Sequence, residues 1–276
     1  MQQKTIPAKV LSIAGSDSSG GAGIQADIKT VTSLGGYAAA AITALTIQNT
    51  EGVRGVFPVP SATVAEQIAA VMEDVEPQAV KIGMVNDAEI VRVISAAVSR
   101  YAPRHVVFDP VMVSTSGHRL IGENVAESLE RDLIPLASLI TPNMSEAEAL
   151  WRRPIGSVER MEQAATELAR RYGTAVLVKG GHLAGDEMCD ILSDGGEIHR
   201  FTSERIATRN LHGTGCTLSS AIATLLAQGR DMRQAVAEAK RYVSRAIEAG
   251  SRMSIGRGNG PLWHGVGAER CEKDER

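Results

Sequence analysis

Short, almost unbroken apolar runs alternate along this chain with longer stretches in which apolar residues recur every three or four positions. The first kind of pattern suits strands buried on both faces, and the second suits amphipathic helices. Val10-Leu11-Ser12-Ile13-Ala14-Gly15 reads as the first strand. Residues 23–34 then read as a helix, with Ile24, Ile28, Val31 and Leu34 on one face. Residues 38–48 fit two patterns: their alanines suit a helix, while their place and the Asn49-Thr50 that follows suit a buried strand. Ser61 is a plain N-cap for a helix carrying Val64, Ile68, Val71 and Met72.

Further strands are predicted at 79–84, 105–108, 139–140 and 175–178, with a helix over 87–101 between the first two. Ser157 opens a helix that runs to Tyr172 and is closed by Gly173. A hairpin is expected over 189–206 around Asp194-Gly195-Gly196. Gly213 to Gly215 lead into a long helix, and another covers roughly 232–249. No repeat and no Pro/Gly/Ser linker interrupts this order. One domain over 1–268 is expected, with 269–276 (ERCEKDER from Glu269) a charged, disordered tail.

Alternating strands and helices predict an α/β fold, a mostly parallel sheet covered on both faces. In such sheets ligands bind beyond the carboxyl ends of the strands. The predicted strand ends here carry Gly-Ser-Asp, Gln-Asn-Thr, Gly-Met-Val, Asp-Pro-Val-Met, Thr-Pro-Asn and Lys-Gly-Gly. That is more polar and glycine chemistry than plain connections need.

Composition narrows the partner class. At 276 residues, 43% hydrophobic and net charge −3, the chain reads as one large globular domain with no basic excess for a nucleic acid. No apolar run approaches a membrane span, and the N-terminus lacks a signal-peptide pattern. Cys189, Cys216 and Cys271 lack metal-ligand spacing and read as free thiols, which makes the cytoplasm the expected compartment.

Three segments could carry chemistry. The run Gly15-Ser16-Asp17-Ser18-Ser19-Gly20-Gly21-Ala22-Gly23 follows a strand and precedes a helix. Gly21 and Ala22 stand where a phosphate loop of the Walker type needs Lys and Ser/Thr, so that motif fails. The run reads either as a flexible connection or as backbone approaching a small ligand, with Asp27 a turn further on. His212-Gly213-Thr214-Gly215-Cys216-Thr217 heads an apolar helix, and its N–H groups would make an anion site. Cys216 there reads either as a small buried residue at a helix start or as a thiol of lowered pKa that could accept a proton; a Cys216–His212 pair is a lesser reading. Asp109, Asn143, Glu146 and Lys179 form the third set. Asn143-x-x-Glu146 also reads as a capping box, and Lys179 beside Gly180-Gly181 could reach a phosphate. His118 and His182 read as loop residues, Met84 as pocket wall or core, and Trp151 and Trp263 show no ligand role.

These segments together resemble the hydroxymethylpyrimidine/phosphomethylpyrimidine kinases of thiamin biosynthesis, within the ribokinase-like superfamily. The carriers are LSIAGSDSSGGAGIQADIKT, ITALTIQNT, VKIGMV, VVFDPVM, LITPNMSEAEAL, VLVKGGH and HGTGCTLSSAIA, in that order over nearly the whole chain. The resemblance implies a three-layer α/β/α ribokinase-like fold with a central, mostly parallel sheet, and a homodimer. It implies ATP and Mg2+, and phosphorylation of 4-amino-5-hydroxymethyl-2-methylpyrimidine to its monophosphate and then its diphosphate. By match, Gln48 would bond the ring nitrogen and amino group, with Gly15, Asp27, Met84 and Val111 lining the pocket. Lys179 would contact the phosphates, Asp109 and Glu146 with Asn143 nearby would organise magnesium, and Gly213, Thr214 and Gly215 would form the anion hole. Cys216 stands where most ribokinase-like enzymes carry an aspartate base, and would take the hydroxyl proton. Ser114-Thr115-Ser116-Gly117-His118 departs from the Ala-Lys-Ser-Gly-Asp of many relatives, and Ile47 replaces a small residue.

Two other readings compete. A pyridoxal kinase would use the same fold and ATP site, but the Gln48 amide suits a ring nitrogen paired with an exocyclic amine. A non-catalytic ligand-binding protein on this fold is opposed by the intact Lys179, Asp109, Glu146 and 213–216 turn.

Overall fold

The computed structural model describes residues 6–112, 122–181 and 187–266. Readings that involve His118, His182, Cys271, the 114–118 departure and the 269–276 tail lie outside the described residues. The strands are β1 (Lys9–Ala14), β2 (Tyr37–Ile42), β3 (Ala44–Asn49), β4 (Gly52–Pro58), β5 (Ala79–Ile82), β6 (His105–Phe108), β7 (Leu139–Ile140), β8 (Ala175–Val178), β9 (Glu187–Asp194) and β10 (Glu197–Glu204). Eight of them form one sheet in the order β10-β9-β8-β7-β6-β5-β1-β2, while β3 and β4 pair as a separate ribbon. The pairs from β2 through β8 are parallel, and β9 and β10 add an antiparallel hairpin at one edge.

Strand side chains alternate between two cores. Leu11, Ile13, Val80, Ile82, Phe108, Ile140 and Val176 face one layer, built on α2 (Ser61–Asp74), α3 (Ala88–Tyr101), α5 (Met144–Trp151) and α6 (Val158–Tyr172). Val10, Ala79, Val107, Leu139 and Leu177 face the other, where α7 (Thr214–Ala227) and α8 (Met232–Ser251) pack with α1 (Gly23–Ser33). The architecture is therefore three-layered α/β/α, as the alternation predicts. A segment unread in the sequence pattern, α4 (Glu123–Ser128), continues through a π turn at Leu129–Leu133 and a 3-10 turn at Ile134–Leu136.

Local signals place several helix ends correctly. Ser157 accepts from Arg160 N–H at the start of α6, and Gly173 closes it in the left-handed conformation. Asn143 and Glu146 form the capping box of α5. Ser61 differs: it is the first helical residue, Pro60 holds the cap position, and no side-chain bond caps α2. The ambiguous 38–48 stretch is two strands, β2 and β3, parted at Thr43, whose hydroxyl donates to Met84 O at 3.0 Å.

The inner face of α1 also differs from the apolar spacing. Ile24 and Val31 are buried as expected, but Ile28 is 38% exposed and Asp27 lies inside. The rotation has an electrostatic cause, because the carboxylate meets a fully buried lysine (described below) that would otherwise be unpaired.

Candidate active site

The chain leaves β1 outward to β2 and later returns to β5 on the other side of β1, so the strand order switches direction between β1 and β5. Crevices at such a point bind ligands beyond the carboxyl ends. Gly15 follows β1, Gly83 and Met84 follow β5, Asp109 follows β6, Asn143 follows β7 and Lys179 follows β8. All of these predicted positions therefore share one rim of the sheet.

Beside that rim stands the N-terminus of α7. Its cap, Gly213, has φ +87, and a Cβ there would stand 1.8 Å from Gly21 O, so only glycine lets the two loops meet. Thr217 donates both its N–H and its hydroxyl to Gly213 O, at 2.9 Å each, which fixes the turn. A Cβ on Gly215 would lie 3.3 Å from Asp109 Oδ2 and 3.4 Å from Lys179 Nζ. The helix tip is thus in direct contact with the lysine–carboxylate pair.

That pair is tight. Lys179 Nζ donates to Asp109 Oδ1 at 2.8 Å, and Thr141 Oγ1 donates to the same oxygen at 3.0 Å. Asp109 is 2% exposed. Burial opposes the Lys179 charge, but Asp109 and Glu146 more than offset it and hold its pKa above the ordinary value. Glu146 accepts from Asn143 N–H at 2.8 Å and Met112 N–H at 3.3 Å. Burial pushes its pKa up to about 7, against Lys179, while Asp109 adds to the rise.

The opposite wall is organised by the 15–23 loop. The Asp17 carboxylate accepts from Ser19 N–H and hydroxyl, from Gly21 and Ala22 N–H, and from His212 Nε2 at 2.8 Å. Burial alone would raise its pKa, but the bonds from His212, Ser19 and Ala22 hold it well below the usual carboxylate range. Gln48 sits in β3 opposite a bulge in β4, where the register skips Arg54 between Val53 and Gly55, and its backbone is latched by Ser18. Ser18 Oγ donates to Gln48 O at 2.8 Å and accepts from Gln48 N–H at 3.0 Å. The Gln48 amide nitrogen lies 3.3 Å from His212 Nε2, which joins the ribbon to the loop before α7. Gly15 and Met84 touch, since a Cβ on Gly15 would stand 2.7 Å from Met84 Cε; Met84 and Val111 are half-buried on this rim.

Asp27 is placed otherwise than on a pocket wall. It is 0% exposed, accepting from Lys81 Nζ at 2.9 and 2.8 Å, from Ser12 Oγ at 2.6 Å and from Ser220 Oγ at 2.7 Å. It lies beneath the site and cannot touch a ligand in this conformation. Cys216 is partly exposed at the helix tip. Its pKa direction reverses the sequence expectation. Burial raises it, and Asp27 and Asp109 add to the rise, outweighing Lys81 and the Gly23 N–H. His212 pairs with Asp17, not with Cys216.

Sequence reading missed Asp17, His212, Ser18 and Lys81 as partners. Two of these left a signal. Asp17 with Ser19 two residues on is the pattern of an Asx turn, and Lys81 is a charge inside an otherwise apolar strand, which requires a buried counter-charge.

A magnesium ion takes oxygen ligands, often one or two carboxylates with phosphates and waters completing its shell. Asp109 fits: among the described residues its Oδ2 has no hydrogen-bond partner, and it stands at the helix tip. Among the same residues no group of three or more His, Cys, Asp and Glu could cage a metal alone, as magnesium does not require.

The sheet order, with a helix tip set against a buried lysine–carboxylate pair, defines a ribokinase-like small-molecule kinase; solved kinases share the fold. A phosphomethylpyrimidine kinase from Clostridium difficile 630 matches with TM-score 0.79 and 43% identity, over 88% of this chain and 100% of that one. A Bacillus subtilis pyridoxal kinase, solved as an ADP complex, matches with TM-score 0.87 and 33% identity, over 94% and 97%. The hydroxymethylpyrimidine/phosphomethylpyrimidine kinase of Rhizobium meliloti is 49% identical over 92% of this chain and 96% of that protein. The bifunctional thiamine biosynthesis protein ThiED of Geobacter sulfurreducens is 51% identical over 94% of this chain, which spans 53% of that protein. The family model described as phosphomethylpyrimidine kinase matches residues 17–263. The chain belongs to the phosphomethylpyrimidine kinase family.

Proposed function

We propose that the protein transfers the γ-phosphate of ATP to the hydroxymethyl group of 4-amino-5-hydroxymethyl-2-methylpyrimidine, and then phosphorylates the monophosphate to the diphosphate used for thiamin diphosphate. The observation that carries this reading is the contact of the α7 tip with Lys179 and Asp109 beside the wall that holds Gln48. Gln48 reads the ring, with Gly15, Met84 and Val111 around it and Asp27 supporting the floor from beneath. Gly213, Thr214 and Gly215 steady the phosphate in transit, and Lys179 adds a fixed positive charge. Asp109 and Glu146, with Asn143 beside them, would hold magnesium, which when bound neutralises phosphate charge.

Cys216 accepts the hydroxyl proton as the oxygen attacks phosphorus. A thiol whose pKa is raised acts as a base only in its thiolate form, so turnover should climb with pH into the alkaline range. The test is a coupled ATP-consumption assay with hydroxymethylpyrimidine, its monophosphate and pyridoxal, run on the wild type and Cys216→Ala. Retained substrate binding with kcat lowered about 10²-fold or more supports the role of Cys216. Unchanged kcat removes Cys216 from the mechanism, and preference for pyridoxal overturns the substrate.

The same reading takes residues 1–268 as one kinase domain, working in the cytoplasm, where the free thiol of Cys216 stays reduced. No helix among the described residues is long and apolar enough to cross a membrane. A homodimer is supported by the outer face of the β3–β4 ribbon, where Leu45, Ile47 and Phe57 are more than half exposed. A monomeric mass in sedimentation would remove that part.

A further inference from the structure

We propose that His212, held by Asp17, is a positioning residue that sets the polarity of the Gln48 amide and so decides which way round the substrate ring binds. The inference rests on Gln48 as the ring-reading residue. A glutamine amide has nearly the same shape in both orientations, so its neighbours decide where its oxygen and nitrogen point.

Two neighbours meet the end of Gln48. One is His212 Nε2 at 3.3 Å from the amide nitrogen, and the other is Thr46 Oγ1 at 3.4 Å from the amide oxygen. Proton counting settles what each offers. His212 Nε2 lies 2.8 Å from Asp17 Oδ2, and an ionised carboxylate can only accept. Nε2 therefore carries a proton in either charge state of the ring and has no lone pair for Gln48. Thr46 has one hydroxyl proton, committed to Ser16 O at 2.8 Å, so toward Gln48 its oxygen is an acceptor. With nitrogen toward His212 and oxygen toward Thr46, both contacts are mismatched. Turning the amide by half a rotation makes the Thr46 contact a hydrogen bond and lets Gln48 Oε1 take the longer share of the one Nε2–H that Asp17 already holds, so two independent neighbours ask for the same turn.

The imidazole that enforces this is itself held. Its side chain is 11% exposed, Asp17 is 3% exposed, and a Cβ on Gly21 would come within 2.4 Å of His212 Cδ2. The ring thus packs against a glycine whose own N–H also donates to Asp17.

The polarity has a chemical consequence. With Oε1 on the His212 side and Nε2 on the Thr46 side, an aminopyrimidine pairs in one sense, its amino group toward His212 and its ring nitrogen toward Thr46. In hydroxymethylpyrimidine the hydroxymethyl-bearing carbon adjoins the amino-bearing carbon on the side away from that nitrogen. The hydroxyl is then directed to the His212 side, where the 213–216 turn and Cys216 begin. The opposite amide polarity would direct it away from them.

The experiment compares wild type, His212→Leu and His212→Gln with hydroxymethylpyrimidine and pyridoxal, alongside 15N NMR of the histidine rings in the full chain. Leucine fills space but cannot donate, whereas the glutamine N–H can replace Nε2–H. The expected result is a KM for hydroxymethylpyrimidine raised about tenfold in His212→Leu, with kcat within about threefold, discrimination against pyridoxal reduced, and recovery in His212→Gln. Unchanged discrimination in a folded His212→Leu enzyme overturns the proposal. NMR of the wild type should show the Nε2-bound proton, and an Nε2 without one overturns the proposal whichever substrate the enzyme uses. A wild type that ignores hydroxymethylpyrimidine refutes the substrate reading, and the histidine signal still decides the polarity argument.

Discussion

Replacing Asp27 by Asn tests the most heavily buried electrostatic feature of the molecule. The substitution keeps shape but removes the charge facing Lys81, and both side chains of this pair have 0% exposure. The carboxylate accepts two bonds from Lys81 and one each from Ser12 and Ser220, so the asparagine also loses acceptor capacity. Breaking a buried pair from one side costs about 3–5 kcal/mol, because the remaining ion stays desolvated. With 276 residues and an unfolding entropy of about 2.1 cal/mol/K per residue, the transition entropy is roughly 0.6 kcal/mol/K. The Tm of Asp27→Asn should therefore fall by about 5–9 °C.

The pH dependence follows from Lys81. Burial opposes its charge, but Asp27, Cys216 and Asp109 raise its folded pKa above the ordinary 10.5. Stability from a raised lysine is fully present below the unfolded value and is lost only as pH rises through the folded one. The deficit of Asp27→Asn should thus be level between about pH 6 and 9. The double replacement Asp27→Leu with Lys81→Met should be more stable than either single change, since it leaves no orphaned charge. Urea unfolding followed by far-UV circular dichroism measures the wild type, Asp27→Asn, the two single changes and the double variant, provided m is unchanged. An Asp27→Asn protein within about 1 kcal/mol of wild type, or a double variant no better than the worse single, would refute the argument.

Two further outcomes can be measured on stability alone. Glu146→Gln preserves the acceptor needed by the capping box but removes a carboxyl whose folded pKa is raised from 4.5 to about 7. The native state binds the extra proton between those values, so wild-type stability falls as pH rises through that window. In metal-free buffer, urea midpoints should favour Gln increasingly from pH 4.5 to 7, by on the order of 3 kcal/mol, and level off above; a constant difference contradicts it. Gly213→Ala forces a left-handed residue and drives a Cβ against Gly21 O, so it should cost more than about 2 kcal/mol and reduce turnover, whereas Gly229→Ala, with φ +89 but open space, should show the backbone cost alone. Equal losses in the two variants would mean that the contact between the loops contributes nothing.

What the sequence determined by itself was whatever depends on neighbours within one or two turns of chain. The apolar alternation sets the layers, and the capping box of Asn143 and Glu146, the Ser157 cap and the Gly173 stop are bonds across three or four residues. The strand-end residues could also be read, because a parallel sheet brings successive strand ends to one rim. Tertiary structure alone decided which charges face each other. Asp27 meets Lys81 across 54 residues, and Asp17 meets His212 across 195. Those partners rotate α1 to bury Asp27 in place of Ile28 and turn His212 away from Cys216. Burial, with Asp27 and Asp109, also raises the pKa of a thiol whose place at a helix start argued for the reverse. Local spacing specifies a face, but burial and counter-charge arise only when distant segments close over one another, and these terms exceed the helix-end effect in the packed interior.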